Sequence, residues 1–244
     1  MKKNSKAFPI ITVFTLLLAM AGAVGCKKVA GLDLQENVDH PTHTVDPRTN
    51  MNAWEFIKSR SFGQPDSLFY QMYLGIIYSG IDTSEYTKPG RTYIILTNAA
   101  IFKPATSAKD TVRDAYCRRY PVNGVYGNFG KTWQDYSPAQ VKGWLQYLIL
   151  QGNYNYNFGS PYNGPGLTPL NAFNDTATTL LPPGTDTLNP KSIMLISLTN
   201  DRNSTVQLNA FVGSDYPTLI RSGGYVLTNG AAHVSNNVVL FKQD

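Results

Sequence analysis

Ionisable chemistry is scarce in this chain. Charged residues make up 15% of its 244 positions, and there are only three histidines, three glutamates and two cysteines. His40 and His43 sit together near the start, so His233 is the one histidine in the remaining sequence. A Ser-His-Asp triad would have to join His233 to a distant acid such as Asp201 or Asp215 and an unassigned serine, and no spacing supports that. There is no G-x-S-x-G elbow, no H-E-x-x-H pair and no phosphate loop. Glu55 and Glu85 stand near expected helix starts, where acids favour the helix dipole. A paired-carboxylate glycosidase would therefore have to use aspartates. His40 and His43 with Asp39 and Asp46 lack metal-site spacing and lie in a stretch without preorganised geometry. The chain is expected to be no enzyme and to hold no cofactor or metal. Long apolar runs are also missing. The run from Ala7 to Met20 is too short, and too soon followed by Lys27 and Lys28, to read as a membrane-spanning helix.

What that run does offer is a signal. Lys2, Lys3 and Lys6 precede it, and Ala23-Val24-Gly25 follow, as in a secretory leader. With Cys26 directly after the small residues, the segment resembles a bacterial lipoprotein signal. The resemblance implies that residues 1–25 are a signal peptide and that Cys26 is lipidated at its thiol and becomes the new N-terminus. The protein would then work outside the cytoplasm on a membrane lipid anchor, without access to ATP, nicotinamide cofactors or chromosomal DNA. Lys27 offers no acidic inner-membrane retention signal, so the outer membrane is expected, with the periplasmic and outer leaflets both open. Loss of the leader removes three lysines and no acid, which takes the formal charge from +5 to +2. No nucleic-acid partner is read from that balance. If Cys26 carries lipid, Cys117 has no disulfide partner and is expected to be buried.

Residues 26–49 read as a tether, with two prolines and no period. One domain is expected over residues 50–244. A short helix carries Trp54, Phe56 and Ile57. A second, capped by Asp66, carries Leu68, Phe69, Met72, Tyr73, Ile76 and Ile77. An apolar strand runs over Thr92–Thr97, and Asn98 is a candidate cap for a helical turn through Phe102. Ser137-Pro138 opens a helix with Val141, Trp144, Leu145 and Leu148 on its buried stripe, closed by Gly152. Strands are expected over Leu170–Phe173, Thr178–Leu181, Ile193–Thr199, Thr205–Phe211, Tyr225–Thr228 and Ala232–Phe241. Helices first and strands last predict an α+β domain.

Two segments carry a family resemblance. Thr92-Tyr93-Ile94-Ile95-Leu96-Thr97-Asn98-Ala99-Ala100-Ile101-Phe102 resembles the first signature of the fasciclin-like domain. Asn229-Gly230-Ala231-Ala232-His233-Val234, continuing to Val238-Val239-Leu240, resembles the second. The resemblance implies a fasciclin-like fold of N-terminal helices and a C-terminal β-rich half, with an insertion near 103–136. Two departures stand out. Tyr147 is followed by Leu148 where the family often has histidine, so the adhesion mechanism of animal members is not carried over, and Leu96 replaces a usual proline. The motif residues read as structural: Asn98 as a helix cap, Gly230 as a turn that a Cβ would hinder, and His233 as the partner of a buried backbone group.

The functional signal is aromatic. The Gly/Pro-rich stretch 152–164 interleaves Tyr154, Tyr156, Phe158 and Tyr162 with asparagines, a chemistry suited to sugar rings or protein surfaces when the rings are exposed. Aromatics that pack back onto the domain are the bland alternative. Two functions follow as expectations. One is a membrane-anchored adhesion or binding module for a protein or matrix partner, which a flat apolar patch would favour. The other is an accessory glycan- or nutrient-binding lipoprotein beside an outer-membrane transporter, which exposed coplanar rings in a groove would favour. Thr111, Thr176 and Thr187 each follow aspartate and precede an apolar residue. They resemble acceptor sites of an O-glycosylation system of some Gram-negative envelopes, with ordinary turns as the alternative.

Overall fold

The structure is a computed structural model that describes residues 28–29, 32–33, 46–63, 67–103, 115–125, 127–155, 168–169, 175–187, 189–198, 205–210 and 217–240. The chain divides into two compact units, Met1–Thr44 and Val45–Asp244. In the first, strands β1 (Lys28–Val29) and β2 (Leu32–Asp33) pair antiparallel within the segment expected to be a plain tether. Cys26, His40 and His43 lie outside the described residues.

The second unit is a mixed α/β domain. Its helices are α1 (Ala53–Ser59), α2 (Tyr70–Ser79), α3 (Asn98–Ile101), α4 (Tyr116–Arg119) and α5 (Pro138–Tyr147). Its strands are β3 (Arg91–Leu96), β4 (Ile149–Gln151), β5 (Tyr154–Asn155), β6 (Thr168–Pro169), β7 (Asp175–Thr179), β8 (Ile193–Leu198), β9 (Val206–Leu208), β10 (Thr218–Leu219), β11 (Ser222–Leu227) and β12 (Gly230–Ser235). Eight of them form one sheet in the order β10-β9-β8-β7-β4-β3-β12-β11, while β5 and β6 pair separately in parallel. Within the sheet only β12 and β3 run parallel. The N-terminal half thus supplies central strands, and the later strands extend the sheet on both sides.

Local sequence explains most of these elements. Thr92–Leu96 are all fully buried, as expected of a strand covered on both faces. Asn52 and Glu55 form a reciprocal capping box on α1. The Ser137 hydroxyl accepts from the Gln140 N–H at the start of α5, with Pro138 in the first turn. That helix stops at Tyr147, five residues before the expected Gly152. Sheet pairing takes over instead: the Leu148 carbonyl accepts from the Ile94 N–H at 2.9 Å, and Ile149 from Leu180 at 2.8 Å. Two C-terminal strands are also shorter than expected. Asn209 turns left-handed (φ 54°) and ends β9, and the Ser235 hydroxyl turns the chain after β12 by donating to the Asn237 carbonyl. Leu170–Phe173 fall outside the described residues. Residues 47–49, expected in the tether, are held by the domain: Val226 donates to Pro47 and accepts from Thr49.

The described residues between 115 and 136 pack through rings. Tyr116 lies 4.3 Å from Trp144 and 5.0 Å from Tyr136 between centroids, and Trp133 packs edge-on to Phe102 at 5.0 Å. Trp133 lies so close to Gly75 of α2 that a Cβ there would come within 2.8 Å of its ring, and its indole N–H donates to the Gln71 carbonyl. Cys117 is buried.

Candidate functional site

His233 is the node that holds Tyr154, the first ring of the expected aromatic stretch. It sits on β12, fully buried, opposite Ile94 of the parallel neighbour β3. On the other side, β11 carries an extra residue between Ser222 and Tyr225, so the ladder slips there. Gly224 takes up the bulge with φ 78°, and its N–H donates to His233 Nδ1 at 3.2 Å. Nδ1 is therefore an acceptor, and the neutral ring carries its proton on Nε2, 3.0 Å from the Tyr154 carbonyl. Burial pushes the pKa down to about 4, against a small opposing pull from the Tyr154 carbonyl. The ring is a neutral bridge between a bulge and β5, not a base poised near neutrality.

Two further bonds fix the same point. The Tyr154 N–H donates to the Thr92 hydroxyl at 2.7 Å, and that hydroxyl donates to the Gly152 carbonyl. Tyr154 itself is half-buried, with its ring over Gly152. Tyr156, Phe158 and Tyr162 lie outside the described residues, so only the root of the expected binding stretch is defined.

The other motif residues have defined work. Asn98 does not cap its own helix; Thr97 occupies that position. Its side chain instead bridges to α2, accepting from Gln71 N–H and donating to the Ser67 carbonyl, both at 2.8 Å. Sequence proximity pointed to the local helix, whereas the free donors that needed an acceptor belong to a helix 27 residues earlier. Gly230 faces Arg91 across the parallel pair, and a Cβ there would meet the Arg91 carbonyl oxygen at 1.9 Å. Asn229, unremarked in the sequence beyond its motif, is a buried clasp. It accepts from the Ala53 N–H and donates toward Tyr86 O, Lys88 O and the Tyr93 hydroxyl. Burial lifts the Tyr93 hydroxyl to about 12, with Arg91 and the Asn229 bond pulling the other way. Burial also raises Glu85, but its ion pairs with Lys88 and Arg91 outweigh that and hold it below the usual range. Asp46, weighed as a metal ligand, is engaged by Arg48.

A second surface lies on α2. Phe62, Tyr70 and Ile77 are 49%, 38% and 53% exposed, three of the five large exposed apolar side chains among the described residues. Tyr70, Tyr73, Leu74 and Ile77 repeat at helical spacing on the outer side of α2, opposite the buried Met72 and Ile76. Phe62 packs edge-on to Tyr70 and Tyr73 at 5.9 and 4.8 Å, and Trp54 stacks on Tyr73 at 5.5 Å. Beside Leu74 and Ile77 runs a recess of about 360 Å³, walled opposite by Lys131–Gln134. The signal was available in the sequence: α2 is apolar around more of its circumference than one core face requires.

Thr176 and Thr187 are exposed, on β7 and in the turn that follows it; Thr111 lies outside the described residues. No protein-family model matches this sequence, and no curated protein matches it.

Proposed function

We propose that this chain is a lipid-anchored, extracytoplasmic binding module that recognises a protein or matrix partner and performs no catalysis. Its domain is read as fasciclin-like, on the two motif segments that pair as β3 and β12 and on the buried role of His233. The observation that carries the functional reading is the exposed aromatic face of α2. Its rings pack edge-on or stack against one another rather than lying coplanar in a groove, which favours an apolar protein contact over a sugar platform. Aromatic side chains are the characteristic enrichment of protein interfaces. The Leu74–Ile77 recess extends that contact area toward the Lys131–Gln134 turn. The expected location is the outer membrane, with Cys26 as the anchor.

The test is a double substitution, Tyr70→Glu with Ile77→Glu, in the full lipidated protein. Both side chains are exposed, so folding should be unaffected. Envelope proteins that co-purify with the wild type should be lost with the variant at an unchanged melting temperature. Identical co-purification from both would remove this face from the account.

A further inference from the structure

The exposed face of α2 lies between two cationic flanks. Tyr70, Leu74 and Ile77 form its ridge, at the spacing that aligns side chains along a helix. At about 100° per residue, Tyr73 falls to one side of that ridge and Gln71 and Tyr78 to the other. On the first side Tyr73 meets Trp54 and Phe62, and the Lys58 ammonium lies over the Trp54 ring, 5.7 Å from its centre. Arg60 belongs to the same flank, since its carbonyl accepts from the Phe69 N–H at the foot of α2. On the second side the recess is walled by Lys131, Thr132, Trp133 and Gln134. The Trp133 indole N–H fixes that wall by donating to the Gln71 carbonyl at 2.8 Å. Lys58, Arg60 and Lys131 are all exposed, and none forms an ion pair among the described residues. The described acids beside them are engaged with backbone. Glu55 accepts from the Asn52 N–H in the capping box of α1, and Asp135 accepts from the Lys131 and Thr132 N–H groups and the Thr132 hydroxyl. Positive charge therefore borders an apolar ridge on both sides.

We infer that the partner meets this face with an acidic amphipathic helix, its apolar stripe laid along Tyr70, Leu74 and Ile77 and its carboxylates set against Lys58, Arg60 and Lys131. The inference rests on reading the α2 face as the contact surface and adds the chemistry of what it contacts. A large apolar side chain of that helix enters the recess beside Leu74 and Ile77 as its anchor. The exposed cations select the partner and steer its approach more than they add affinity. A second copy of this chain would set cations against cations, and a flat lipid surface would leave the recess unfilled.

Two synthetic helices test this, each of about five turns with the same Leu/Phe stripe. One carries glutamate along both edges of the stripe, the other lysine. Binding is read by fluorescence anisotropy on residues 26–244 with Cys26→Ala, so that no lipid is attached. The acidic helix should bind one-to-one and about tenfold or more tighter than the basic one, with the difference shrinking as salt is raised. Lys58→Glu with Lys131→Glu, both at exposed positions, should reverse the preference at unchanged melting temperature. Equal binding of the two helices, no saturable binding of the acidic one, or a preference untouched by the charge reversal overturns the inference. Phosphatidylglycerol vesicles bound with the same charge dependence, and neither helix bound, would assign the face to a membrane and overturn it equally. Envelope co-purification lost in Tyr70→Glu with Ile77→Glu, beside indifference to helix charge, would leave the contact face standing and remove only the acidic helix.

Discussion

Mild acid should weaken this domain through a single side chain. In the folded state His233 is neutral, with its pKa lowered to about 4 by burial. In the unfolded chain it returns to the ordinary value near 6.5. As pH falls below about 6.5 the unfolded state takes up a proton that the folded state refuses until about 4. The stabilising contribution is therefore complete above 6.5, declines through the interval, and is gone below 4. The slope approaches about 1.4 kcal/mol per pH unit, and the loss between pH 7 and pH 5 is about 2 kcal/mol. Asp46, Asp82, Glu85 and Asp135 all have lowered folded values, so their contributions are lost only at lower pH. Urea unfolding at pH 7 and pH 5 reads the effect, with His233→Gln as the control. The variant should be weaker at pH 7 by about 1–3 kcal/mol, because the Gly224 N–H and the Tyr154 carbonyl lose their shared partner. It should then be nearly flat between the two pH values. A wild-type decline reproduced by the variant refutes the assignment of that proton to His233.

Other perturbations give equally direct outcomes. Gly230→Ala forces β12 from the Arg91 carbonyl and should cost about 3 kcal/mol or more, seen as a lower denaturation midpoint. Tyr86 buries a hydroxyl that has no hydrogen-bond partner among the described residues, so Tyr86→Phe should raise stability by about 1 kcal/mol, measured by thermal melting. Cys26→Ala should release the protein from membranes on fractionation. Intact mass of protein from its own host should exceed that of the lipidated polypeptide, and Thr176→Ala and Thr187→Ala should each remove one glycan increment.

Local elements were legible in the sequence where a cap and a period agreed at α5, but α2 begins at Tyr70 with Phe69 in the cap position, three residues past the expected Asp66. Ser137-Pro138 placed the start of α5, and the unbroken apolar run after Arg91 placed β3. What stayed hidden depended on distant partners. Leu148 to Gln151 continue the helical pattern of α5, yet the N–H groups of Ile94 and Leu180 bond the Leu148 and Ile149 carbonyls and draw the segment into the sheet. Asn98 caps α2 rather than α3 because the unmet donor lies across a chain reversal. The bulge at Gly223-Gly224 could not be read from a glycine pair alone, although it explains why a histidine sits mid-strand on β12. At the candidate site the motif residues were visible and their bonds were not. The outer face of α2 is written in Tyr70, Tyr73, Leu74 and Ile77, but periodicity alone does not separate it from the buried stripe of Met72 and Ile76 on the same helix.

Site-specific photocrosslinking in the native envelope tests the central claim most directly. A photoreactive residue at Ile77 samples the exposed α2 face, and one at Thr178, exposed on β7, serves as control. The account predicts one discrete protein adduct from position 77 and none from position 178. No adduct at 77, or the same adducts from both positions, would contradict it.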